Sequence, residues 1–298
     1  RLAEQIGSNH NEINIDKITS AVMEETNHLF KQSPKFKANG GTEKENLALQ
    51  NIQARSRMVL SYYLAQLLSE NNLLVLGSGN IDELLRGYLT KYDCSSADIN
   101  PIGSICKTDI FAFLEWCSQK FNINVVSEIR SAPPTAELEP ITSEYKQTDE
   151  DDMGFTYEDL SHMGKLRKIE RLGPVGMFRR LCYEHNDIKH NVKNTLDKVK
   201  RFFKYYAINR HKATVITPSY HCENYSPDDN RFDLRPFLYD GLFKYQYEKM
   251  DEIAEEMLII NKPLYDKKLL EKIDENYDED DILSDDALSD NIEGKHCV

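Results

Sequence analysis

Residues 73–90 read LLVLGSGNIDELLRGYLT, and this stretch constrains the fold more than any other. Four apolar residues are too few for a helix; they break into glycine and small polar residues, then pass directly into helical spacing. The pattern predicts a buried strand from Leu73 to Leu76, a tight loop and a helix. Before it, residues 45–69 contain neither Gly nor Pro, and Leu49, Ile52, Val59, Tyr63 and Leu67 recur at helical spacing, predicting one long helix. After it, TDIFAFLEWCSQKF predicts a helix and INVV (123–126) a second short buried strand. Helices alternating with short apolar strands imply an α/β chain with a Rossmann-like parallel sheet and flanking crossover helices.

Residues 131–152 are rich in Pro, Thr and acids and predict a long polar loop, of the kind that orders over a substrate or stays disordered. Residues 155–210 are helical in pattern, and 213–239 irregular. The opening RLAEQIGS is a short helical pattern without an initiating Met and reads as cut from something longer. Apolar residues make up 40% of the 298, enough for a large buried core. No run approaches the roughly 20 apolar residues that cross a bilayer, so no membrane role is expected. The six cysteines are scattered without paired spacing, as expected of reduced thiols in a cytoplasmic protein. Of the net charge of −13, most belongs to residues 274–298, which hold ten acids and one lysine. The expected division is a domain over 1–270 and an acidic, disordered tail over 271–298.

Ligands of open parallel sheets bind where a strand's carboxyl end feeds a helix N-terminus. There, Gly77 and Gly79 would let backbone N–H groups approach a phosphate, and Ser78 offers a hydroxyl. Glu83, one turn into the helix, suits Mg²⁺ held jointly with nucleotide phosphates. The same residues also fit an ordinary strand-to-helix turn. The next loop gathers Lys91, Asp93, Asp98 and Lys107, either to recognise a charged ligand or as a solvated surface. Asn51 and Arg55 on the long helix, and His211 with Lys212 after a later one, are further polar candidates. A metal set of His211, His221 and Cys222 lacks a second pair at zinc-like spacing. The run KVKRFFKYYAINRHK interleaves cations with aromatics, but its apolar face suits packing on the domain. The remaining surface is not basic, so nucleic acid is not an expected partner.

Read together, ENLALQNIQARSRM, LLVLGSGNIDELLRGYLTKYDCSSADINPIG, TAELEP, QTDEDDMG, KLRK, VKRFF, NRHK and ENYSPDDNRFDLRPFLY resemble the synthetase domain of eukaryotic glutamine-dependent NAD synthetases. The resemblance runs from about Arg1 to Tyr239 and implies an adenine nucleotide alpha hydrolase-like fold of the N-type ATP pyrophosphatase kind. It implies a ligase that activates the carboxylate of deamido-NAD with ATP and Mg²⁺, releases pyrophosphate, and lets ammonia displace AMP to give NAD. By the same resemblance, Ser78 and Thr135 look like ATP contacts, and Lys107 like the cation at the ATP phosphates and the main catalytic residue. Glu83 looks like the acid beside Mg²⁺ and substrate. Asn51, Arg55, Lys91, Asp98, His211 and Lys212 fall at positions resembling the deamido-NAD site, with Asp93 a further member.

Two departures qualify it. The family's SGGxDS phosphate loop is not in the chain, and its place lies before Arg1, so this stretch alone is expected to bind ATP poorly. None of the cysteines resembles the nucleophile of the family's nitrilase-like glutaminase domain, so ammonia from glutamine is expected from an N-terminal part. Family members associate through this domain, so a homo-oligomer is expected. The competing readings are a non-catalytic nucleotide-binding or assembly module and another ATP pyrophosphatase amidotransferase, such as a GMP synthetase.

Overall fold

The structure, a computed structural model, describes residues 1–68, 70–132, 134–135, 138, 148–185, 188–222, 225–227 and 242–260. Short α1 (Leu2–Ile6) ends in Gly7 at φ 71°, and α2 (Asp16–Thr26) follows. The long predicted helix is α3 (Glu43–Leu67), started by a capping box in which Thr42 and Glu45 satisfy each other's backbone N–H groups. Leu49 of its apolar stripe is buried, but Val59, Tyr63 and Leu67 are about 60% exposed, because no described element covers that face.

The predicted loop-to-helix step is present: Asn80 caps α4 (Ile81–Arg86), and Gly87 ends it in the left-handed region at φ 78°. A side chain at Gly87 would place its Cβ 2.4 Å from that of Asn209, so glycine is required on two counts. Helix α5 (Lys107–Phe121) turns at Asn122, φ 54°, into α6 (Asn124–Ser131). This corrects the expected second strand: the INVV run opens a helix. Val125 and Val126 are buried, and Ser127 of α6 hydrogen-bonds Ser118 of α5 at 2.8 Å. Three apolar residues in a run of four cannot distinguish a strand from a buried helical face, and the left-handed Asn122 makes the helical hairpin.

The expected polar loop closes in α7 (Asp149–Met153), capped by Thr148; most of 136–147 lies outside the described residues. Helices α8 (Tyr157–Lys168), α9 (Pro174–His185), α10 (Ile188–Asn209) and α11 (Lys244–Ile260) build the main core. Its centre holds Met177, Phe178, Phe202, Phe203, Tyr206, Met250 and Met257, each almost wholly buried. Full burial of such a side chain contributes about 1.5–3 kcal/mol, and stacked Phe202 and Tyr206 add ring contact at 5.9 Å.

The expected sheet is represented, among the described residues, by two isolated parallel bridges, Leu76 with Ile99 and Asn100 with Ser219. Backbone bonds from Asp98 to Val75 (2.9 Å) and from Gly77 to Ile99 (2.8 Å) run the first of them. Leu73, Leu74 and Leu76 are 48–70% exposed, so the buried strand expected there is instead a short ladder with an open apolar surface. Among the described residues no helix is long and apolar enough to cross a membrane. The acidic tail lies outside them.

Candidate active site

The loop before α4 offers fewer donors than its glycines suggest. The Gly77 N–H is engaged by the Ile99 carbonyl, the Asn80 side chain accepts from Asp82 and Glu83 N–H, each at 3.1 Å, and Ile81 donates to Ile105. The expected approach of a phosphate to Gly77 is corrected accordingly: what the loop presents is the exposed Ser78 hydroxyl and the Gly79 backbone. At Gly79 a Cβ would lie 2.9 Å from Leu84, which keeps the turn tight.

Behind the loop, four elements bring charge together. The Lys107 ammonium, on the first residue of α5, lies 3.7 Å from Glu83 Oε1 on α4, both side chains about one-fifth exposed. From α8, the Tyr157 hydroxyl donates to Glu83 Oε1 at 2.6 Å and stands 3.1 Å from Asp149 Oδ2 of α7. Tyr88 donates to Asp152 at 2.8 Å. Burial, then the Glu83 charge, raises the Asp149 carboxyl and the Tyr157 hydroxyl; burial, then Asp152, raises Tyr88. Both tyrosines therefore stay protonated donors. Burial also pushes the Asp82 carboxyl up to about 7, against the Lys107 N–H that it accepts.

Of these groups Glu83, Tyr88, Lys107, Asp149 and Asp152 line a cavity of about 740 Å³, with Tyr157 and Asp82 behind its wall. Ser78, Gly79, Glu83, Lys107, Thr135, Asp149 and Asp152 contribute to its wall, as do Arg57, Asp93, Tyr205, Asn209 and Lys212. Thr135 is held beside α7 because the Asp149 N–H donates to the Pro134 carbonyl at 3.1 Å.

The structure divides the sequence-derived candidates. Ser78, Glu83, Lys107, Thr135, Asp93 and Lys212 line the cavity; Asn51, Arg55, Lys91, Asp98 and His211 are not among its wall residues. Asn51 accepts from Thr90 at 2.6 Å and Arg55 donates to the Lys91 carbonyl at 3.0 Å, tying α3 to the 90–91 turn. The Lys91 ammonium lies 5.3 Å from the Tyr92 ring. Asp98 accepts the Val75 N–H at 2.8 Å and so braces the parallel bridge. Asp93 accepts from Thr90 and Ser95 N–H groups and shapes its own turn. Lys212 donates to the carbonyls of Gly87 (2.8 Å) and Leu89 (2.6 Å), and burial followed by the Arg86 charge lowers it to about 8. His211 is exposed and lowered by burial, Lys91 and Lys212 in turn.

Residues 1–216 match the family model described as NAD synthase. The chain belongs to the NAD synthase family. Among its relatives, glutamine-dependent NAD(+) synthetases of Oryza sativa subsp. indica, Saccharomyces cerevisiae and Homo sapiens are 56%, 53% and 55% identical to it. The matches cover 86%, 86% and 83% of this chain and 35%, 37% and 36% of those proteins. The chain thus spans little more than a third of the length of the curated relatives it matches. The crystal structure of a glutamine-dependent NAD(+) synthetase from Cytophaga hutchinsonii, at 23% identity, has the same fold over 84% of this chain and 37% of that one, with a TM-score of 0.65.

Among the residues of this cavity and its backing, sequence reasoning passed over Tyr88, Asp149, Asp152 and Tyr157. A local signal existed: Thr148 followed by four acids, then Thr156 with Asp159, marks two successive helix starts inside and just after the stretch read as loop. Among the described residues no group of three or more His, Cys, Asp or Glu side chains could cage a metal ion, and His221 pairs with the buried Ser226 at 2.9 Å.

Proposed function

We propose that this chain is the synthetase part of a glutamine-dependent NAD synthetase, amidating deamido-NAD to NAD through an adenylate. The observation that carries the reading is the Lys107 ammonium beside Glu83, fixed by Tyr157, in the wall of a cavity that also holds Ser78 and Thr135. A carboxylate attacking an α-phosphate brings two negative groups together, so preorganised positive charge is the main requirement. Lys107 supplies it from a site where desolvation strengthens every charge interaction. Ser78 and Thr135 hold the ATP, and Asp93 and Lys212 shape the wall for the dinucleotide. Asn51, Arg55, Lys91, Asp98 and His211 act around it, on the 90–98 segment and beside Lys212.

The carboxylates of Glu83 and Asp149, adjacent through one tyrosine hydroxyl, suit a hard cation held jointly with phosphate oxygens. The chemistry that a bound Mg²⁺ supplies there is charge neutralisation of the polyphosphate. Pyrophosphate leaves as the acyl-adenylate forms; ammonia then attacks the acyl carbon and AMP leaves. The two parallel bridges support a parallel sheet of the ATP pyrophosphatase kind. The resemblance assigns ammonia production from glutamine to a separate glutaminase domain and the whole protein to a homo-oligomer; the free cysteines suit the cytoplasm.

NAD formation by the full-length protein tests this, with ATP, Mg²⁺, deamido-NAD and either ammonia or glutamine. Turnover with AMP and pyrophosphate release is expected with both nitrogen sources. Turnover with ammonia alone removes the glutaminase assignment, and none with either overturns the ligase reading.

A further inference from the structure

Asp82 is 3% exposed in the first turn of α4 and belongs to no wall of the cavity, yet it touches the residue on which the proposed chemistry depends. Its Oδ2 accepts the backbone N–H of Lys107 at 2.9 Å. Helix α5 needs such an acceptor, because its N-cap is Cys106, which makes no side-chain cap hydrogen bond. A thiol is a weak acceptor, and the Cys106 sulfur is instead 3.0 Å from the Thr108 hydroxyl. The first orphan N–H of α5 is therefore met from a different helix. The carboxylate lies at the positive ends of α4 and α5 together, which offsets part of the cost of burying it.

The neighbouring residue completes the arrangement. Asp82 holds the Lys107 backbone while Glu83 faces the Lys107 ammonium at 3.7 Å, so two consecutive residues of α4 define both ends of one flexible side chain. The Ile81 N–H on the Ile105 carbonyl at 3.1 Å adds a second tie between the same segments. We propose that Asp82 is a positioning residue for the amidation, setting the start of α5 so that the Lys107 ammonium meets Glu83 and the substrate phosphates; this rests on the functional reading above.

The test uses Asp82→Ala and Asp82→Asn in the full-length protein, with Lys107→Ala in parallel and ammonia as nitrogen source. Asn keeps an oxygen where Oδ2 lies. An ångström of misplacement costs on the order of 10²-fold, so Asp82→Ala should lower kcat by about that factor. Because the loss falls on the transition state, KM for deamido-NAD should change less than about threefold, and Asp82→Asn should recover kcat to within about fivefold. Amide exchange at Lys107 should be protected in the wild type and in Asp82→Asn, and fast in Asp82→Ala. Normal kcat in Asp82→Ala, or Asp82→Asn as impaired as Asp82→Ala, overturns the proposal while leaving the ligase reading intact if Lys107→Ala is inactive. Normal turnover by Lys107→Ala overturns that reading and the positioning role with it. Should Asp82→Ala fail to fold, an unprotected Lys107 amide in the wild type overturns the proposal by itself.

Discussion

The Tyr157 hydroxyl donates to Glu83 Oε1 at 2.6 Å while standing 3.1 Å from Asp149 Oδ2. One hydroxyl hydrogen thus lies between two carboxyl groups, of which Asp149 is raised by burial and then by the Glu83 charge. Removing it in Tyr157→Phe leaves Glu83 without its short donor. A hydrogen bond to a charged group contributes about 1.5–3 kcal/mol, so kcat/KM for ammonia-dependent NAD formation should fall about 10- to 100-fold. Steady-state kinetics on a variant with unchanged far-UV circular dichroism checks this, and an unaltered kcat/KM would refute it.

Lys107→Ala removes the cation nearest Glu83. Loss of one preorganised charge donor costs about 10²–10³ in rate, and the same loss is expected here. Exchange of labelled pyrophosphate into ATP in the presence of deamido-NAD isolates the adenylation step. The exchange should fall by that factor; preserved exchange would show that Lys107 acts elsewhere.

Gly87→Ala tests the turn that ends α4. At φ 78° a side chain is strained, its Cβ would meet Asn209 at 2.4 Å, and the Gly87 carbonyl also receives Lys212. Backbone strain of about 1–3 kcal/mol and overpacking of similar size both act. Denaturant unfolding should show a loss of at least about 2 kcal/mol. A loss below about 0.5 kcal/mol would mean that the α4–α10 contact gives way easily.

His162 and Glu184 join α8 to α9 at 2.7 Å. The hydrogen bond to Glu184 raises the His162 pKa; for Glu184, burial works upward, but the bonds from His162 and Arg180 leave it lowered. A raised histidine contributes stability that is present below its unfolded value of 6.5 and lost as pH rises through the folded one. A lowered glutamate contributes stability present above 4.5 and lost as pH falls through its folded value. Between those limits the pair is worth most. With His162 45% exposed, its contribution stays below about 1 kcal/mol. His162→Gln should therefore destabilise the protein more at pH 5.5 than at pH 8; equal losses at the two values would rule the pair out.

Much of the helical layout was legible because its signals are local. Thr42 with Glu45, Asn80 before α4, Gly87 after it and the 25-residue run of α3 declare themselves within one or two turns. The INVV run misled because its period is too short to distinguish strand from helix. The stripe of Val59, Tyr63 and Leu67 announced a helical face, yet its burial depends on what packs there.

The sequence by itself determined the long α3, the loop-to-helix step into α4, which residues carry charge, and which family the chain resembles, since caps, breakers and periodicity act over three or four residues. Only the tertiary structure decided which charges meet. Tyr157 lies 74 positions from Glu83 and reaches it because α8 packs on α4. Asp98 and Asn51, candidates by type and place, brace backbone and turn, while Asp149, read as part of a loop, lies in the cavity wall. Burial and hydrogen-bond geometry depend on contacts distant in the chain, and no local pattern records them.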